Sequence, residues 1–257
     1  MGIINCDKIA KNVLKGVNGG KLAVLRNYDD PSAISYVRQL CKIARKVNIE
    51  IVEEDYHSRS IPERVTRIIH EYNDSDADGI IVVSPEPQHY ECLQAIAPEK
   101  RVEGTDFDDD PKRVSCTARA CAEIAESVLE NSFEYSFLIV GYGKAVGKPL
   151  GYLLMRMHAS SVTTTHAYTG SNDLFSHHIP NNDVIISAVG SPHFIKGDYE
   201  EKMFIDAGIS ILDGQLRGDI HPDLIEKNDV TPVPGGVGPV TTALLLRNVF
   251  LASQGEF

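Results

Sequence analysis

Short apolar runs of strand length alternate with amphipathic runs of helix length through most of this chain, and that alternation confines it to an α/β fold with a parallel sheet. Lys21 to Leu25 (KLAVL) reads as a strand. Asp30 and Pro31 then supply an N-cap and a first helical residue, and Ile34, Val37, Leu40, Ile43 and Val47 continue with helical period. IEIVEE and DGIIVVS read as further strands, separated by a helix whose Ser60 and Glu63 have capping-box spacing. CTARACAEIAESVLEN is a long helix, after which the pattern restarts. FLIVG is a strand, KAVGKPLGYLLMRM a helix, and SSVTTTH, DVIISAVG and MFIDAG are strands. The expectation is two α/β units joined by the helix near residues 116 to 131.

A length of 257 residues suits two moderate domains, and a hydrophobic content of 42% suffices for their cores. No apolar run is long enough to span a bilayer, and the N-terminus lacks the apolar segment of a signal peptide. Gly2 is followed by Cys6 where a myristoylation signal has Ser or Thr. The five cysteines (6, 41, 92, 116 and 121) are scattered and odd in number. They read as reduced thiols rather than as a disulfide frame or a zinc site, and no metal is expected. A net charge of −11 without a long basic cluster argues against a nucleic-acid surface. The expected setting is cytoplasmic, with neither membrane nor nucleic acid as partner.

The second unit carries a dinucleotide signal. Gly141, Gly143 and Gly147 lie between a strand and a helix, where glycines let a pyrophosphate approach backbone N–H groups. The spacing is one residue longer than the usual fingerprint, so a tight turn without a ligand is the alternative. THAYTG, SAVGSP and IDAGIS end their strands in small residues, as an open sheet does at a cofactor crevice. The last unusual stretch is TPVPGGVGPVTTALLLRN, residues 231 to 248. Three prolines and three glycines there set an irregular backbone at the entrance of a strong helix.

PVPGGVGPVT resembles the C-terminal signature of the methylenetetrahydrofolate dehydrogenase/cyclohydrolase family. DDPSAISYV, DGIIVVSPEP, APEKRVEG, SCTA, VGYGKAVGKP, IDAGIS and RGDI resemble further segments of that family, in order from about Asp29 to Leu251. The resemblance implies a catalytic, folate-side domain (1–130 with 239–257) and a Rossmann-like dinucleotide-binding domain (131–238), with a cleft between them, often in a homodimer. It implies NADP as cofactor, with NAD possible. Gly141, Tyr142, Gly143, Lys144, Val146, Gly147, His166, Ala167, Gly190 and Ile209 would bind it. Tyr36, Val83, Ser84, Pro85, Glu103, Pro234, Gly235 and Gly236 would hold tetrahydrofolate derivatives.

The departures from the family pattern fall where its chemistry is. Leu40 stands at the family's catalytic Lys, Val83 at its Gln and Glu103 at an Asp, while Tyr36 is kept to pack on the folate. Lys42 is rotated about 200° along the helix and is no substitute. Glu86 replaces a Leu, and reads either as a group near the reacting carbon or as a solvated loop carboxylate. His89 fits the pattern after the turn and reads as a structural histidine. Tyr142 replaces the Arg that favours a 2′-phosphate. The expected activity is NAD(P)-dependent oxidation of methylenetetrahydrofolate, with cyclohydrolase activity in doubt. Alternatives are a folate- or dinucleotide-binding protein with little catalysis, and a two-domain dehydrogenase of hydroxy or amino acids.

Overall fold

The computed structural model describes residues 2–104, 113–131, 134–166 and 173–257. In chain order its elements are β1 (Gly2–Ile3), α1 (Cys6–Val13), β2 (Lys21–Asn27), α2 (Pro31–Ala44), β3 (Glu50–Tyr56), α3 (Pro62–Asn73), β4 (Gly79–Val83), α4 (Cys116–Val128), β5 (Ser136–Val140), α5 (Gly147–Arg156), β6 (Ser161–Thr165), β7 (Val184–Ser187), β8 (Met203–Asp206), β9 (Ser210–Leu212), β10 (Gln215–Arg217), β11 (Asp229–Val230) and α6 (Val237–Ser253). Two units divide the chain: Met1–Val13 with Asp106–Leu244, and Leu14–Thr105 with Leu245–Phe257.

In the smaller unit β2 is the centre of a three-stranded parallel sheet, in the order β3-β2-β4. Leu22 to Leu25 are wholly buried, which is why KLAVL is continuously apolar rather than alternating. Ala23, Leu25, Tyr56, Val65, Ile69 and Ile80 form part of one core cluster. Asp30 caps α2 as expected: its Oδ1 accepts from the Ser32 amide at 2.8 Å, with Pro31 in the first turn. The capping box expected at Ser60 does not form. The helix begins one residue later, with Ile61 as cap and Pro62 following, and Ser60 Oγ accepts from the His57 amide instead.

The larger unit is a six-stranded parallel sheet in the order β1-β11-β8-β7-β5-β6. The chain runs from β5 outward to β6, then returns to β7 on the other side of β5. That reversal puts a topological switch point at the C-terminal ends of β5 and β7, the place where open α/β sheets bind ligands. Leu138, Val140, Leu174, Ile185, Phe204 and Leu224 form much of the core cluster there. An antiparallel hairpin, β9–β10, stands apart from this sheet.

The units divide at other residues than the sequence suggests. β1 pairs with β11, and α4 packs on α1, α5 and β8. Residues 1–13 and the α4 segment therefore belong with the six-stranded sheet, and α6 changes unit near Leu244 rather than at 239. Within the smaller unit, Asn248 is fully buried and its Nδ2 donates to the Val102 carbonyl at 2.6 Å. Losing a buried hydrogen-bond partner costs about 1–3 kcal/mol. Asn248→Ala should lower the unfolding free energy from urea denaturation by that amount; an unchanged midpoint would mean that this bond does not hold the helix in place.

Candidate active site

In the smaller unit the ends of β2 and β4 are bound together by side chains. Ser84, just past β4, has φ +52, in the left-handed region that costs a non-glycine residue about 1–2 kcal/mol. Its carbonyl accepts from Tyr56 Oη at 3.0 Å and from Asn27 Nδ2 at 3.3 Å. Asn27 Nδ2 also reaches Ser58 Oγ and, at 3.4 Å, Glu86 Oε1. Burial, then the negative charges of Glu86 and Asp30, push the Tyr56 hydroxyl well above the usual tyrosine range. Burial raises the Asp30 carboxyl, but hydrogen bonds from Ser32 and Ser84 outweigh it and leave a net lowering. The strand end thus presents two carboxylates around a buried phenol.

Among the expected folate-side residues, Tyr36 is half-buried on α2, and Val83, Ser84 and Pro85 are half-buried at the end of β4. Leu40, one turn beyond Tyr36, is completely buried with Val37 and Ala44. It is a core residue, so the position expected to match the family's Lys carries a packed apolar side chain. Lys42 is exposed. Glu103 is exposed, and partial burial of its carboxyl pushes its pKa upward. His89 is fully buried; its Nε2 lies 2.7 Å from the Ser60 carbonyl, so Nε2 carries the proton and donates. Its ring meets Tyr56 edge-on at 5.3 Å. The structural reading of this histidine holds, and among the described residues Nδ1 is buried without a hydrogen-bond partner.

In the larger unit the glycine turn has the shape its sequence implies. Gly141 has φ +102, and a Cβ there would lie 2.5 Å from the Ala188 carbonyl oxygen. A Cβ on Gly147 would meet the Gly141 carbonyl oxygen at 1.9 Å. These two glycines close the turn; Gly143 and Gly190 do something else. Both face open space, so backbone is accessible at the ends of β5 and β7. Val146 at the start of α5 offers no side-chain cap to the first amides of that helix. At the start of α5 the Lys148 amide already donates to the Gly143 carbonyl at 3.0 Å and Pro149 has no N–H, so a dinucleotide would fit by bringing its pyrophosphate against the backbone of Gly143 and the Gly147 amide.

Tyr142 is 45% exposed and sets its ring edge-on to His166 at 6.1 Å. Lys144 and His166 are exposed, Val146 is half-buried, and Ile209 is 59% exposed at the start of the hairpin. Ala167 lies outside the described residues. Pro234 and Gly235 are exposed, whereas Gly236 is buried because a Cβ there would meet the Pro232 carbonyl at 2.4 Å. These three belong to the larger unit, and Tyr36, Val83, Ser84, Pro85 and Glu103 to the smaller.

Sequence reasoning missed the groups that hold the strand ends. Asn27 and Tyr56 do so in the smaller unit, and Asp206 and Asp219, both almost wholly buried, in the larger. The aspartates left a signal in the sequence, a D-x-G at 206–208 followed by a G-D at 218–219, in which each glycine makes room for the other segment's carboxylate. Among the described residues no cluster of His, Cys, Asp and Glu could hold a metal ion, and no helix is long and apolar enough to cross a membrane.

A parallel sheet with a glycine turn at its switch point and a helix starting behind it defines a dinucleotide-binding α/β protein. Residues 115–257 match the NAD(P)-binding domain of tetrahydrofolate dehydrogenase/cyclohydrolase, and residues 5–103 match the catalytic domain of the same enzymes. The chain belongs to the tetrahydrofolate dehydrogenase/cyclohydrolase family. It is 34% identical to the bifunctional protein FolD of Petrotoga mobilis, over 92% of this chain and 88% of that protein. A solved methylenetetrahydrofolate dehydrogenase from the silkworm, Bombyx mori, is 27% identical with a TM-score of 0.84, covering 99% of this chain and 98% of that one. The Trypanosoma brucei dehydrogenase-cyclohydrolase, solved with NADP and an inhibitor, shares the fold at a TM-score of 0.88 and 24% identity, covering 99% and 97%.

Burial raises the Asp206 carboxyl from 3.8 to about 6, helped by the charge of Asp219 and opposed by amides of Ile220, Asp219 and Gly208. The folded protein therefore holds this proton more tightly than the unfolded chain does. Asp206 favours the fold most below the ordinary aspartate pKa, and that contribution is lost as pH rises through about 6. A carbon-detected NMR titration should give Asp206 a midpoint near 6. An ordinary aspartate midpoint would show that the amides cancel the cost of burial.

Proposed function

We propose that this chain oxidises 5,10-methylenetetrahydrofolate to the methenyl form with NAD(P), and that cyclohydrolase activity has been lost. The observation that carries this reading is Leu40, apolar and 0% exposed where the family has its catalytic Lys. Val83, where the family has Gln, is apolar too. Hydride loss from the carbon between N5 and N10 leaves a cation delocalised over both nitrogens and transfers no proton. The bound nicotinamide supplies the hydride acceptor; the chain has only to hold the folate, with Tyr36 packing on it, and keep the carbon in place. Hydrolysis of the methenyl cation requires protons to move, and neither Leu nor Val can donate or accept one.

General acid–base help is worth ~10²–10⁴-fold, so methenyl hydrolysis should run within a few-fold of the buffer rate while hydride transfer proceeds at ordinary enzymatic rates. Loss of methenyl absorbance, followed with and without the protein, measures this. Hydrolysis a hundredfold above buffer would overturn the loss, and Glu103→Gln and Glu86→Gln would then identify the replacement. Leu40→Lys is a poor restoration, because it would bury an ammonium in the core. Val83→Gln, at a half-buried position, is the better one.

Dependence on NADP should be weaker than where an Arg stands at the loop. Tyr142 carries no charge for a 2′-phosphate, whereas an Arg offers two charged hydrogen bonds. Tyr142→Arg should raise the ratio of kcat/KM for NADP over NAD; an unchanged ratio would mean that another group reads the phosphate.

A homodimer completes the reading. Its support is the β9–β10 hairpin, where Ile211 is 70%, Leu212 40% and Leu216 38% exposed. An apolar hairpin of this kind suits a second copy of the chain better than water.

A further inference from the structure

Asp219 is 0% exposed, and its carboxylate takes four hydrogen bonds from one five-residue stretch at the end of β7. Oδ2 accepts from Ser187 Oγ at 2.7 Å, the Val189 amide at 2.8 Å and the Gly190 amide at 3.2 Å; Oδ1 accepts from the Ser191 amide at 2.7 Å. Three consecutive amides are thereby turned inward onto one anion. The stretch so held is a wall of the glycine turn. Ala188 donates to the Val140 carbonyl, and its own carbonyl oxygen is what a Cβ on Gly141 would strike. Gly190, at φ +74, faces open space beside that turn, and its carbonyl accepts from Ser210 Oγ at 2.7 Å.

A second carboxylate supports the first. Asp206 Oδ1 accepts from the amides of Asp219 at 3.0 Å and Gly208 at 3.1 Å, and Oδ2 from Ile220 at 2.9 Å. A Cβ on Gly208 would lie 2.0 Å from the Asp219 carboxyl carbon, and one on Gly218 would lie 2.0 Å from Asp206 Oδ2. Each carboxylate is thus enclosed by a glycine from the other's segment. Among the described residues neither aspartate is ion-paired, so backbone amides and one hydroxyl carry the whole burden of keeping these charges out of water. A sheet end that only had to be closed could be closed by apolar packing at lower cost. This arrangement instead gives the backbone at 188–191 one conformation.

We propose that Asp219 is a positioning residue for the nicotinamide dinucleotide: its carboxylate fixes residues 187–191 so that the crevice at the ends of β5 and β7 is formed before the cofactor arrives. The inference rests on the reading that this crevice takes NAD(P). A preformed wall spares the cofactor the entropy of ordering it, so loosening the wall weakens cofactor binding. Folate binding has no share in this effect.

The test is dinucleotide titration of the full chain, wild type first, then Asp219→Asn and Ser187→Ala, with KM for cofactor and for folate measured on each. Asp219→Asn loses the charge and turns an amide NH₂ toward backbone donors. Charged hydrogen bonds of this kind correspond to about tenfold or more in affinity. The expected result is a cofactor Kd raised about tenfold with the folate KM within about twofold of wild type. Ser187→Ala removes one donor, keeps the carboxylate, and should raise the cofactor Kd about threefold. Wild type that binds neither NAD nor NADP would overturn the crevice reading and this proposal with it. Wild-type binding with an unchanged Kd in a cooperatively folded Asp219→Asn would overturn the role of Asp219 alone, as would equal rises in both KM values. If Asp219→Asn does not fold, Ser187→Ala decides: an unchanged cofactor Kd rejects the proposal.

Discussion

A parallel sheet leaves backbone groups at the ends of its strands that the neighbouring strands no longer satisfy, and the rest of this structure depends on how they are satisfied. Both units answer with buried polar side chains drawn from distant points in the sequence. In the smaller unit Asn27 and Tyr56 bond the Ser84 carbonyl across three strands. In the larger, Asp219 collects the amides that follow β7, and Asp206 collects those around Asp219. Buried polar networks of this kind are costly when half-made and specific when complete. They convert the ragged edge of a sheet into a surface of defined shape, and both sets of candidate site residues stand beside them.

On the proposed reading, this division of labour lets an enzyme of this family lose one activity and keep the other. Hydride transfer asks for shape alone, and on the proposed reading Tyr36 on α2 and the open backbone at Gly143 and Gly190 supply it. Hydrolysis asks for a group that moves protons. Residue 40 is, on that reading, where such a group is missing: the leucine there is completely buried and can neither donate nor accept a proton. The carboxylates that remain near the end of β4, Asp30 and Glu86, serve the strand-end network through Ser84 and Asn27.

Much of the fold was legible because the apolar runs are long compared with the signals around them. β2, β5 and α2 follow directly from periodicity, and Asp30-Pro31 marks a helix start by a mechanism that depends on three adjacent residues. Legibility fails where the deciding contact is distant. Ser60 and Glu63 have capping-box spacing, but Pro62 and the tie between Ser60 Oγ and His57 shift the helix start. The place of α4 in the larger unit is set by its packing on α1, α5 and β8, which no local pattern announces. The glycine turn was readable as a motif, and the structure separates its glycines into two that close the turn and one that opens it to a ligand. The buried partners Asn27 and Tyr56 were not readable, because a polar residue in a strand-end sequence looks the same whether it faces water or a distant amide, and Asp206 and Asp219 showed only as the D-x-G and G-D segments, not as the acceptors of those amides.

The central claim is that this chain makes the methenyl cation and leaves it unhydrolysed. Methylenetetrahydrofolate mixed with excess oxidised cofactor, with reduced cofactor and methenyl absorbance recorded together, tests it most directly. The account predicts one methenyl group accumulating for each reduced cofactor formed through the whole course of hydride transfer. Reduced cofactor rising while methenyl stays low and formyltetrahydrofolate appears at the same rate would contradict it.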